Sequence, residues 1–411
     1  MSTVVGIIVE YNPLHNGHVL HYSRAKELTG AEYCVAILSG PFLQRGEPAI
    51  LSKQARAEMA LHMGVDLVIE LPIHYAVQPA EWFAFGAVSL LEATGIVDYL
   101  CFGTESGSLH ELLPLAKQLT QEDPIMQQEL THLLSTGMNY PTAYSAAASK
   151  LAHNLDQQEE IRQLLHQPNH SLALHYLIAL ERLGSPIIPL TIARESAAYH
   201  DTTPSHSNIA SATSVRKMVS TDGVEAITPY IPSYTLEIMR REFSAGRGPV
   251  HWETFRQPLI HHLMTHTPEQ LSLIHEVTEG LEYRVKKTLP ILSQATVEEL
   301  LHSLKTKRYT HTKLQRMLTH ILLNHSKEEM SPKELAKGPG YLRILGFSKQ
   351  GRQLLKRMKK TATLPTIMKP SVFTHHHLER DLQAAAAYAN GYDQSDMRDM
   401  YRDYYESPIR W

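Results

Sequence analysis

The sequence predicts an α/β fold, with a parallel sheet in its first half and a mainly helical, basic second half. Three observations predict it. Val4, Val5, Ile7, Ile8 and Val9 form a β-branched run broken only by Gly6, the pattern of a central strand covered on both faces. Apolar runs of strand length then alternate with segments of helical spacing as far as about residue 102. Residues 301–370 hold sixteen Lys and Arg against three Asp and Glu, a balance of +13 in a chain whose net charge is −3.

Each element follows from local chemistry. Asn12 and Pro13 stop the first strand, expected at 4–9, and GHVLHYSRAKEL begins a helix near 17–29 with Val19, Leu20, Ala25 and Leu28 facing the sheet. A strand at 33–38, a helix near 53–63, a strand at 66–70, a helix near 80–93 and a strand at 97–102 follow. Residues 106–185 read as a mostly helical insertion, broken around Pro124. A short strand near 187–192, the polar loop ESAAYHDTTPSHSN and a helix entered through IASATSVRK close a first domain at about residue 220. From 221 the pattern is helical to residue 411, with joints at Pro229, Pro232 and SAGRGP.

Composition narrows the class. A chain of 411 residues is long enough for two or three domains and a substantial core. No stretch approaches the roughly 20 apolar residues of a membrane span, and the N-terminus lacks the basic region of a signal peptide, so a cytoplasmic protein without a membrane partner is expected. Cys34 and Cys101 each sit in an apolar run without C-x-x-C spacing, which points to core residues rather than a disulfide or zinc framework.

The chemistry starts where the first strand ends. In EYNPLHNGH, His15 and His18 flank Gly17 at a helix N-terminus, where unpaired N–H groups and the helix dipole favour a phosphate. Residues three apart on a helix point at one ligand, and Gly17 lets a triphosphate approach the backbone. A second phosphate-binding segment is SATSVRK: Ser211, Thr213 and Ser214 cap a helix and Arg216 offers a fork of donors. Alone it reads as an ordinary capped helix; paired with the upstream histidines it reads as a triphosphate clamp.

An N-terminal H-x-G-H after the first strand, with a late Ser/Thr-rich segment ending in Arg, resembles the HIGH superfamily of nucleotidylyltransferases. GIIVEYNPLHNGH, SGPFLQRGEPA, GVDLVIELP, AEWFAFGAVSLL and IASATSVRK resemble, in order, the bacterial tRNA(Met) cytidine acetate ligase family over most of residues 4–217. The resemblance implies a Rossmann-like nucleotidyltransferase domain followed by a helical RNA-binding domain. It also implies an enzyme that activates acetate with ATP as acetyl-adenylate and acetylates N4 of the wobble cytidine of elongator tRNA(Met). Mg2+ is expected with the triphosphate, and no protein partner is implied.

On that resemblance, His15, His18 and Arg216 are the catalytic residues. The nucleotide segment runs through Ile7, Ile8, Val9, Glu10, Tyr11, Asn12, Pro13, Leu14, His15, Asn16, Gly17, His18, Val19 and Leu20, with Ser211 and Thr213 opposite. Gly103, Asn169 and Arg194 are further nucleotide contacts. Locally, Gly103 also fits an ordinary turn, Asn169 a helix cap after Pro168, and Arg194 a solvated strand end. Four positions depart from the family pattern: Leu14 replaces a common phenylalanine, His170-Ser171 replaces Asn-Ile, and Ala212 replaces a serine.

Two further regions need a partner. SGPFLQRGEPAILSKQAR gathers Ser39, Gln44, Arg45, Lys53 and Arg56 beyond the second strand, and Arg45 or Lys53 is the candidate cation for acetate; a solvated loop fits the same residues. Arg308, Lys313, Arg316, Lys349, Arg352, Lys356, Arg357, Lys359 and Lys360, with Tyr309, Tyr341 and Phe347 nearby, are candidate RNA contacts. His375, His376 and His377 are consecutive and point in different directions on a helix, so no metal is assigned. Two other readings stay open from the residues alone: a metabolite adenylyltransferase acting on a phosphorylated small molecule, and an RNA-binding protein regulated by nucleotide.

Overall fold

The computed structural model describes residues 2–121, 124–151, 155–194 and 208–411. Five parallel strands, β1 (Val4–Val9), β2 (Tyr33–Ser39), β3 (Leu67–Leu71), β4 (Tyr99–Thr104) and β5 (Ile188–Ala193), lie in the order β5-β4-β1-β2-β3. β1 sits at the centre, pairing Val4 to Tyr33 on one side and Val5 to Tyr99 on the other. The strand order reverses between β1 and β4, which is where a doubly wound sheet opens a crevice for ligands.

Helices α1 (Asn16–Thr29), α2 (Lys53–Met63), α3 (Ile73–Ala76) and α4 (Ala80–Thr94) connect the first four strands. The expected insertion is α5 (Leu112–Thr120), α6 (Pro124–Ser135), α7 (Tyr140–Ser149), α8 (Leu155–His166) and α9 (Pro168–Leu183). Alternate residues of the strands feed two cores. Val4, Val35, Ile37, Leu67 and Ile69 pack with α4 and α9; Val5, Ile7, Val9, Ala36, Leu38 and Val68 pack under α2 and the helices after residue 211. Both cysteines are free and buried, as expected. No helix among the described residues is long and apolar enough to cross a membrane.

The second half is mainly helical: α10 (Ala212–Asp222), α11 (Ser233–Ser244), α12 (Arg256–Thr265), α13 (Pro268–Ser272), α14 (Leu281–Thr288), α15 (Val297–Leu304), α16 (His311–Leu323) and α17 (Pro332–Leu335). Helices α12 to α16 share their own core around Leu259, Leu281, Leu300 and Leu314. The expectation of a helical pattern as far as residue 411 is corrected after α17. β6 (Leu342–Phe347) lies antiparallel to β3, pairing Ile69 with Ile344, and so extends the sheet of the first half. α18 (Gly351–Thr361), β7 (Thr366–Ile367), α19 (His376–Ala389), α20 (Met397–Met400), α21 (Arg402–Tyr405) and β8 (Ile409–Arg410) complete the chain.

Four buried charges seal this junction. Lys53 Nζ reaches Glu70 Oε1 at 2.5 Å and Asp403 Oδ2 at 2.7 Å, while the Arg343 guanidinium makes 2.8 and 2.9 Å bonds to the Asp403 carboxylate. Two cations and two carboxylates balance, which is what permits burial. The polar loop expected at 195–208 lies, through residue 207, outside the described residues.

Candidate active site

β1 ends at Val9, and the chain turns through Tyr11, at φ 49°, into α1. The helix starts at Asn16, one residue earlier than the spacing predicts, because His15 is its cap. Gly17 N–H donates to His15 Nδ1 at 3.1 Å, and His15 N–H donates to His18 Nδ1 at 3.2 Å. This is a capping box made with imidazoles. A nitrogen that accepts from a backbone N–H carries no hydrogen, so both rings are left with Nε2–H as a donor. Burial, then Arg194 and Arg216, hold His15 at a pKa of about 3. Burial, then His15 and Arg194, push His18 well below the usual imidazole range. Both rings are therefore neutral donors, with centroids 3.9 Å apart.

The positive charge comes from two arginines. Arg216, on the first turns of α10, donates to Asn12 O at 2.9 Å and to Glu47 at 3.0 and 3.3 Å. Ser211 caps α10 by accepting from Ser214 N–H at 3.1 Å, and Thr213 is exposed beside it. Asn16 Nδ2 donates to Asn208 O and Pro229 O, which ties the start of α1 to the approach of α10. Two helix N-termini thus meet beyond β1, a ready anion site.

Gly103, Asn169 and Arg194 also come together. Arg194 donates to Asn169 Oδ1 at 2.8 Å, and a Cβ on Gly103 would press on Arg194 Cγ at 3.1 Å. Asn169 is the second residue of α9 and caps nothing; its amide donates to Glu105 Oε1 at 2.7 Å. Glu105 also accepts from the backbone N–H groups of Asn169 and His170. Sequence reasoning missed Glu105, the carboxylate that orients this trio, although its place just past β4 on the ligand side was a signal. It also missed His21, one turn along α1 from His18, whose buried Nε2 has no partner among the described residues and which burial and Arg194 hold at a pKa of about 4.

The loop after β2 is held rigidly. Glu10 Oε1 accepts from Ser39 Oγ and from Gln44 N–H at 2.8 Å, and burial raises its carboxyl pKa. Arg56 is fully buried and donates to the carbonyls of Glu10, Ser39, Gly40 and Leu51. Gly46, at φ 81°, lies so close to α16 that a Cβ would fall 2.2 Å from Arg316 N. Arg45 is half-buried in the fields of Glu10, Glu47 and Arg216. Lys53 requires a correction: it is buried and spent on Glu70 and Asp403, so the candidate cation for a small carboxylate reduces to Arg45.

The HIGH nucleotidyl transferase family model matches residues 1–403. A tRNA(Met) cytidine acetate ligase of Thermoanaerobacter sp. (strain X514) is 40% identical over 399 residues, 96% of each chain. The chain belongs to this family. A ligase of the same name from Acetivibrio thermocellus is 43% identical over 377 residues, 90% of this chain and 89% of its own. The crystal structure of Thermotoga maritima TmcAL in its apo form superposes with a TM-score of 0.91 at 33% identity, covering 99% of both chains. The same protein bound with alpha-thio ATP superposes at 0.89 and 32% identity, again over 99% of both.

The basic residues of this family member divide into two groups. Arg308 pairs with Glu279 at the surface, whereas both Lys313 and Arg316 pair with the buried Glu276, so these last two cations are committed within the protein. Lys349, Arg352, Lys356, Lys359 and Lys360, just before and along α18, are exposed and have no ion-pair partner among the described residues. Arg357 is half-buried and donates to Ser2 O.

Proposed function

We propose that this chain activates acetate with ATP as acetyl-adenylate and acetylates N4 of the wobble cytidine of elongator tRNA(Met), in the cytoplasm. One observation carries the reading: His15, His18, Arg194 and Arg216 converge at the N-termini of α1 and α10, at the switch point of the sheet, in a chain of the acetate ligase family.

The triphosphate lies along Ile7–Leu20, with Ser211 and Thr213 opposite and Gly103, Asn169 and Arg194 on the nucleoside side. Acetate, held by Arg45, attacks the α-phosphorus in line; the bond to the bridging oxygen breaks and pyrophosphate leaves. His15 and His18 Nε2–H and the Arg216 guanidinium meet the negative charge gathering on the oxygens. The cytidine amine then attacks the acyl carbon, AMP leaves, and the amine gives up a proton.

Glu10, Glu47 and Glu105 are all committed, to Ser39 and Gln44, to Arg216, and to Asn169 and His170. They offer no dedicated carboxylate for Mg2+, so that ion would be held by phosphate oxygens and water. The exposed cations of residues 349–360 face the tRNA phosphates.

The reading is tested by ATP–pyrophosphate exchange with acetate as the only carboxylic acid. Exchange that requires acetate is expected. Exchange that ignores acetate, or that is driven by a phosphate ester, would overturn the reading in favour of a metabolite adenylyltransferase.

A further inference from the structure

We propose a divalent metal site of the zinc class, formed by His74, His376 and His377, that fastens α3 to α19. His74 lies on the short helix after β3 and is fully buried, yet neither of its ring nitrogens has a hydrogen-bond partner among the described residues. A buried polar group left unpaired calls for an explanation. What surrounds it is more imidazole: the ring centroids of His377 and His376 lie 4.0 and 5.8 Å away. His377 is buried too, with Nδ1 unpartnered, whereas His376 is exposed.

One nitrogen from each of the three rings lies within 4.8 Å of the others. Tetrahedral zinc, with Zn–N bonds of about 2.0–2.1 Å, sets its ligand nitrogens ~3.3 Å apart. Ring rotation, freest at the exposed His376, would supply the contraction. Three consecutive histidines on one helix do not share an ion, and the fold removes that objection. His375 leaves the set to cap α19, its Nδ1 accepting from His377 N–H at 3.1 Å, and His74 takes its place from a different element.

The local chemistry suits a metal. Lys337 and Arg380 are the cations whose charge reaches His377 and His74. Neutral imidazole is the ligating form. The two cations in that field are already matched, Lys337 by Glu334 and Arg380 by Glu329. An all-imidazole set without thiolate or carboxylate suits Zn2+, and the fourth position opens to water beside His376. The helix so fastened also carries Tyr388, whose hydroxyl donates to Ala49 O at 2.7 Å at the end of the loop that holds Arg45.

Equilibrium dialysis of the untagged full chain against Zn2+ tests this, with Co2+ as a visible probe. Wild type is expected to take up one equivalent, to gain thermal midpoint on doing so, and to show the d–d bands of tetrahedral Co2+. His376→Ala, at an exposed position, is expected to lose that equivalent while keeping its circular dichroism, and His376→Cys to restore it with a thiolate-to-cobalt band. His266→Ala, at the stacked His262–His266 pair, is expected to bind as wild type does. No saturable uptake by wild type, or uptake unchanged in His376→Ala, would overturn the site.

Discussion

His15 N–H donates to His18 Nδ1 at 3.2 Å, so the second histidine of the motif caps the backbone of the first. One interaction thereby does two things. It closes the N-terminus of α1, and it fixes His18 in the tautomer that turns Nε2–H outward.

His18→Ala removes a donor and half of the cap. The expected result is a ~10²–10³-fold drop in acetate-dependent pyrophosphate exchange, with stability reduced by only about 1 kcal/mol. Retention of exchange within a factor of about three would contradict the donor role.

Glu105 orients Arg194 through Asn169 and touches neither reacting group. Losing a charge-assisted bond of this kind costs ~1.5 kcal/mol or more, so Glu105→Ala is expected to raise the KM for ATP about 10-fold with a smaller change in kcat. Steady-state kinetics checks this. A fall in kcat at unchanged KM would place Glu105 in the chemistry instead.

The exposed lysines of α18 are expected to carry tRNA affinity but not adenylate formation. Replacing Lys356, Lys359 and Lys360 with Ala is expected to weaken tRNA binding and to lower its log–log salt slope by about 0.7–0.9 for each phosphate that is no longer neutralised. Exchange without tRNA should stay at the wild-type rate. Lys313→Ala and Arg316→Ala should instead lower stability, because each removes one of the two cations that balance the buried Glu276.

Lys53→Met leaves Glu70 and Asp403 with Arg343 alone. Breaking a buried pair in this way typically costs about 3–5 kcal/mol, read from urea unfolding, and the KM for acetate should not change selectively.

Stability should fall on the acid side of neutrality. His15, His325 and His377 are held by burial at pKa values of about 3, against an ordinary 6.5. Above pH 6.5 both the folded and unfolded forms are neutral; below it the unfolded chain binds protons that the folded one refuses. Each therefore removes up to ~1.4 kcal/mol per pH unit between 6.5 and 3. Burial favours the protonated form of Glu276, but Arg316 and Lys313 outweigh it and hold the carboxyl below 4.5, so its contribution is present above that pH and lost below it. The urea midpoint is expected to drop steadily from pH 6.5 to 4. A flat profile would contradict the neutral, buried imidazoles.

The parallel strands were legible because Val4–Val9 is β-branched and the later runs are apolar and separated by helical spacing; β1 to β4 are largely buried, whereas β5 is a half-exposed edge strand. His15, His18 and Arg216 were legible for a related reason: each stands at the start of a helix that the pattern marks. What stayed hidden depends on distant partners. Lys53 reads as a free cation until Glu70 and Asp403, 17 and 350 residues away, close on it. Arg316 reads as an RNA contact until Glu276 arrives from before α14. β6 was lost among helices because Arg343 interrupts its apolar run, although LRILGF follows Gly338-Pro339-Gly340, a turn signal that bounds a strand better than a helix.

Delivery of acetyl-adenylate, made at the histidine loop, to a tRNA base is tested most directly by mass spectrometry. The sample is the nucleosides of elongator tRNA(Met) after incubation with this protein, ATP and isotopically labelled acetate. Labelled N4-acetylcytidine is expected at the wobble position, dependent on ATP and abolished in His18→Ala. Unlabelled cytidine there, from protein that still binds ATP and tRNA, would contradict the proposed transfer.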